Sequence, residues 1–142
     1  QSIILPVIWV LSRKLNIHAL HGGATSINKK SYIFSGLAGV GKSNLTLFMT
    51  LQKKFKFLSD NFLLFDNKFI YPFPEWVRVL DDSKKLMPEL KSFFAGQSLK
   101  RNKKDYYLLP NSQISQKIKP KIFLFTEVGN SCGLKKSGWT SN

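Results

Sequence analysis

The chain has 142 residues, 43% of them hydrophobic, which is enough for one compact domain with a core and too few for two ordinary ones. Its 22 Lys and Arg against 8 Asp and Glu give a formal net charge of +14, which points to anionic partners. The single cysteine, Cys132, excludes an intrachain disulfide, argues against a zinc site and suits a reducing cytoplasm.

The chain opens on Gln1 rather than Met and ends without a closing element, so it reads as a piece of a longer protein. The apolar stretch 3–11 is interrupted by Pro6 and is too short to span a bilayer, so no membrane partner is expected. Residues 6–15 read instead as an amphipathic helix ending near Arg13 and Lys14. Residues 17–21 read as a strand that continues through a Gly22-Gly23 bulge to Ile27. Asn28-Lys29-Lys30 turns the chain, and Tyr32–Phe34 returns antiparallel as a short, buried, β-prone strand.

That strand feeds Gly36-Leu37-Ala38-Gly39-Val40-Gly41-Lys42-Ser43, a full match to G-x-x-x-x-G-K-[ST]. Glycines let the backbone wrap closely around a phosphate, and successive N–H groups form an anion nest. The helix predicted over 42–54 adds the partial positive charge of its N-terminus. The expected phosphate-binding residues are Gly36, Ala38, Gly39, Val40, Gly41, Lys42, Ser43 and Asn44. Lys42 has the reach for β- and γ-phosphates, and the Ser43 hydroxyl suits Mg²⁺. Strand, glycine loop and helix follow one another in the order that binding of ATP or another nucleoside triphosphate requires.

Residues 55–59 form the next predicted strand, with Asp60 at its end. Residues 62–65 and 68–71 read as a hairpin around a two-residue turn, Asp66-Asn67, closed by Pro72-Phe73-Pro74. Residues 76–80 read as a strand and 82–98 as loose helix broken at Pro88. Strands are expected at 105–109 and 120–127, with a polar connector at 111–119 and a loose tail at 128–142. This is an α/β pattern with a mixed, hairpin-rich sheet, unlike the alternating parallel strands and helices of larger nucleotide-binding folds.

Three pieces resemble the HPr kinase/phosphorylase family, in particular its small members with the phosphoenolpyruvate-carboxykinase-like fold. They are Leu20-His21-Gly22, with His21 15 residues before Gly36; the loop 36–43; and Phe57-Leu58-Ser59-Asp60, with Asp60 18 residues after Lys42. The resemblance covers residues 5–127 and treats 1–127 as one nucleotide-binding domain lacking its C-terminal part. It implies an ATP-dependent transfer of phosphate to a serine hydroxyl of a protein or peptide, in multimers. Lys42 then contacts the transferred phosphate, Ser43 and Asp60 hold Mg²⁺, Asp60 takes the serine proton, and His21 lies near the reacting phosphate. Asn61 stands where the family has a second aspartate; an amide oxygen can ligate a metal but cannot act as a base. The family's later acidic and arginine motifs have no clear match here.

Two other readings belong to different classes. One is an NTPase or switch acting on nucleic acid, for which the sequence shows neither a hydrolytic glutamate nor an arginine finger. The other is a non-catalytic ATP-binding protein, favoured by Asn61. Most lysines fall in loops and read as solvated surface; the 97–104 cluster is the best anion patch, equally suited to acidic protein or to RNA or DNA. Trp76 and the phenylalanines read as core rather than as base-stacking platforms, which argues against nucleic acid. His18 reads as structural or exposed, Asp81-Asp82 as a helix-start or loop pair, and Glu127 as a candidate acid beside the site.

Overall fold

The computed structural model describes residues 4–94, 98–101, 104–130 and 133. Helix α1 spans Ile4–Leu15, with Pro6 in its first turn, where a missing N–H leaves no helical bond unmade. Strands β1 (His18–Ile27) and β2 (Lys30–Ser35) form the predicted antiparallel hairpin. Asn28 and Lys29 make its turn with φ of 49° and 60°, the left-handed pair whose twist matches that of the flanking strands. Helix α2 (Lys42–Leu51) follows the glycine loop.

The next strand differs from the expectation. β3 runs unbroken over Lys56–Phe65, pairing antiparallel with β1 from Ser26↔Lys56 to His18↔Phe65. Asp60 therefore lies mid-strand opposite Gly23, not at a strand end, because ten residues of β1 provide a continuous partner. The bulge falls on β3 rather than at Gly22-Gly23. Ala24 pairs with Ser59 and Thr25 with Phe57, leaving Leu58 as the extra residue. Gly23 instead serves close packing: a Cβ there would sit 2.0 Å from Thr46 Oγ1 of α2.

β4 (Ile70–Tyr71) pairs back on β3 across a four-residue loop, not the expected two-residue turn. Asp66 organises that loop. Its Oδ1 accepts the N–H groups of Lys68 and Phe69 at 2.7 and 2.6 Å, and its Oδ2 accepts the Tyr71 hydroxyl at 2.6 Å. These donors hold the Asp66 carboxyl below its ordinary pKa. β5 (Val77–Val79) precedes two short helices, α3 (Asp81–Leu86) and α4 (Leu90–Phe93), which flank Pro88. The expected helix 82–98 thus stops early, and Ser98–Arg101 is strand β6, antiparallel to β7 (Lys104–Tyr107). β8 (Ile122–Phe125) lies parallel to β2. The tail expected at 128–142 has no helix or strand at 128–130, and 134–142 lie outside the described residues.

The fold is mixed α/β. A five-stranded sheet in the order β4-β3-β1-β2-β8 is antiparallel except for β2 and β8, and a three-stranded sheet has the order β5-β7-β6. The core forms two clusters. Leu47 of α2 and Phe57 pack with Val77, Val79, Met87, Leu90, Phe94 and Leu109, joining the two sheets. Ala24, Ile33, Leu58, Leu63 and Ile70 form the second cluster, with Ile118 against it. Neighbouring residues Phe57 and Leu58 thus serve separate clusters, which is why the centre of β3 is buried throughout. The polar connector 111–119 is tied to the sheet: Ser115 N–H bonds the Phe57 carbonyl at 2.7 Å, and Ile118 exchanges backbone bonds with Ile70.

Candidate functional site

The loop between β2 and α2 is anchored at its entry. Thr126 donates both its N–H (2.8 Å) and its hydroxyl (3.0 Å) to the Ser35 carbonyl, fixing the end of β2 against the end of β8. Gly36 follows with φ 144°, and a Cβ there would lie 2.4 Å from the Thr126 carbonyl oxygen, so only glycine fits. Leu37, Ala38 and Gly39 are exposed, and Gly41 caps α2 with φ 91°. The cap makes no side-chain hydrogen bond, and the first intrahelical bond is Leu45 N–H to the Gly41 carbonyl at 2.9 Å, so the N–H groups of Lys42, Ser43 and Asn44 have no intrahelical acceptor. These are open donors for an anion.

Lys42 is buried at 7% exposure. Its Nζ donates to the carbonyls of Gly36 (2.9 Å) and Leu37 (2.6 Å), so the cation is held across the mouth of its own loop. Ser43, next along, is exposed, and its hydroxyl acts to hold the Asp60 carboxylate charged. Asn44 turns its side chain away: its Oδ1 accepts the Ser83 hydroxyl at 2.6 Å and ties α2 to α3.

Asp60 meets this loop from β3. Burial pushes its carboxyl above the ordinary pKa range, against the opposing pull of the Ser43 hydrogen bond and of the His21 and Lys42 charges. Asn61 beside it has φ 90°, a left-handed conformation in which asparagine is one of the few tolerated non-glycine residues. Around this kink Ser59 Oγ donates to the Phe62 carbonyl, and His21 Nδ1 lies 3.0 Å from the Asn61 carbonyl oxygen, the geometry of an Nδ1–H donor. His21 itself is exposed, with its ring edge-on to Phe62.

One acid at the site escapes a reading of the sequence. Glu75, between Pro74 and Trp76, is half-buried, with the Asp60 charge and the Asn61 side chain acting on it. Its Oε1 is buried with no partner. Desolvation and the Asp60 charge raise its pKa from 4.5 to about 7. The acid that reaches Asp60 is thus Glu75, whereas Glu127 is exposed beyond β8. The signal available was Phe73-Pro74-Glu75, a carboxylate set just after a proline-fixed return of the chain toward β3. Phe73 N–H bonds the Leu58 carbonyl at 2.9 Å and draws this segment onto that strand.

Lys42, Ser43, Asp60 and His21, taken from three separate parts of the sequence, therefore lie together with Asn61 and Glu75. Hard oxygen donors from Ser43, Asp60 and Glu75 fit a small divalent cation such as Mg²⁺, and the unpartnered Glu75 Oε1 marks a spot that lacks a counter-charge. His18 stacks obliquely on Phe65 at 5.6 Å, at the far end of β1. Asp81 and Asp82 form the first turn of α3, as expected.

No family model matches the chain, and no curated protein matches it. Among solved structures, the HPr(Ser) kinase/phosphatase from Coxiella burnetii is similar, with a TM-score of 0.51 and 12% identity over 84% of this chain. The chain spans 66% of the length of that protein, just under two thirds. At this identity the likeness shows a shared fold.

Proposed function

We propose that residues 1–127 form a nucleotide-binding domain that uses Mg·ATP to phosphorylate a serine hydroxyl of a protein or peptide. The observation that carries the reading is the meeting of Ser43 and Lys42, from the glycine loop, with the buried Asp60 carboxylate from β3. Bound Mg²⁺ supplies neutralisation of charge on the triphosphate. Ser43 and Asp60 would hold it, and Glu75 would add the carboxylate that Asn61 does not. The loop N–H groups cradle the phosphates, and Lys42 exchanges its two carbonyl partners for phosphate oxygens. Asp60 accepts the proton as the serine oxygen attacks. His21 holds the Asn61 carbonyl, and with it the orientation of Asp60.

The fold shared with an HPr(Ser) kinase/phosphatase supports this reading over one on nucleic acid. A second reading, nucleotide binding without transfer, is favoured by Asn61, which removes one of two adjacent carboxylates. Transfer of radiolabelled γ-phosphate from ATP to serine-bearing peptides separates the two. The kinase reading expects label on serine, reduced at least ~100-fold in Asp60→Asn, the scale of one lost general base. Binding of ATP with no labelled product in any peptide rejects it.

A further inference from the structure

The end of the sheet remote from the glycine loop gathers positive charge. β2 carries the chain from this end to the loop, ~17 Å away at ~3.3 Å per residue. Here the β1–β2 turn, the α2–β3 connection and the segment 114–118 enclose an open groove of about 390 Å³. Lys29, Lys54, Lys56 and Lys117 line it, with no Asp or Glu among the lining residues. None of the four takes part in a salt bridge among the described residues. Lys56 donates to the Ser112 carbonyl, Lys117 lies over the Phe69 ring at 5.0 Å with Asp66 acting on it through space, and Lys29 and Lys54 stand exposed.

Four ammonium groups around one groove repel one another in the free protein, and a multiply charged anion removes that repulsion. The rest of the lining selects its kind. No aromatic ring lines the groove to stack a base, and no arginine fork is present for bidentate phosphate binding. Ile27, Ile114 and Ile118 instead provide half-buried aliphatic surface between the lysines. We propose that this groove docks an acidic polypeptide segment, with Asp or Glu carboxylates on the lysines and an intervening aliphatic side chain on the isoleucines. Its position away from the glycine loop makes this independent of the reading of that loop.

The test is fluorescence anisotropy with the full chain at physiological ionic strength. The probe is a labelled peptide alternating pairs of Glu with single Leu residues, and a single-stranded RNA of equal charge is run beside it. The groove variant is Lys29→Gln/Lys54→Gln/Lys117→Gln. The control, Lys14→Gln/Arg78→Gln/Lys85→Gln, removes the same charge from exposed positions elsewhere. The expected result is peptide affinity lowered about tenfold in the groove variant and changed less than about twofold in the control, because at a Debye length of ~8 Å only nearby charges matter. Equal losses in the two variants, no peptide binding, or tighter groove-dependent binding of the RNA overturns the proposal.

Discussion

Replacing Glu75 by glutamine probes the site without any ligand. In the folded protein the Glu75 carboxyl titrates at about 7 against 4.5 for a free one, so between these values the folded state holds a proton that the unfolded chain has released. Stability of the wild type therefore falls as pH rises from 4.5 to about 7 and is level beyond. A shift of this size corresponds at most to ~3 kcal/mol. Glu75 is half-buried, and water screening reduces the effect to ~1 kcal/mol. Glutamine keeps the shape and can still accept from Asn61, yet it carries no charge beside Asp60. Glu75→Gln is thus expected to be more stable than wild type at pH 8 by ~1 kcal/mol, a gain of ~2–4 °C in Tm, and equal to it near pH 4. Thermal melts in magnesium-free buffer across that range measure both. A variant that is less stable at pH 8, or curves that stay parallel from pH 4 to pH 8, refutes the placement of Glu75 against Asp60.

Other outcomes follow from the same geometry. Gly23→Ala places a methyl against Thr46 Oγ1 and destabilises by ~1–3 kcal/mol in urea unfolding, and a Thr46→Ser partner does not restore it because the clashing oxygen remains. Phe57→Ala, in the cluster joining the two sheets, costs ~3–5 kcal/mol by the same assay. Asn61→Asp puts a third carboxylate beside Asp60 and Glu75: Tm falls in EDTA, and the gain in Tm on adding Mg²⁺ is larger than in wild type.

The glycine loop was legible because a local phosphate cradle needs its residues consecutive in sequence. The β1–β2 hairpin was legible because Asn28-Lys29 sits between two β-prone runs. The continuity of β3 was not, since Ser-Asp-Asn reads locally as a turn, and only pairing with β1 carries the strand through the left-handed kink at Asn61. β6 was hidden because lysine and arginine dominate residues 98–104 and mask a period of two. Glu75 could not be found by spacing alone. It reaches Asp60 because the chain turns back at Pro72-Phe73-Pro74 and Phe73 docks on Leu58, a contact that exists only in the folded chain. The basic groove was equally hidden, since its lysines come from three separate segments.

Calorimetric titration of the chain with Mg·ATP tests the central claim most directly, with Lys42→Ala and Asp60→Ala alongside. The account predicts saturable binding by the wild type, none by Lys42→Ala, and in Asp60→Ala binding that loses most of its dependence on magnesium. Binding that is unchanged in Lys42→Ala, or magnesium dependence that is intact in Asp60→Ala, contradicts it.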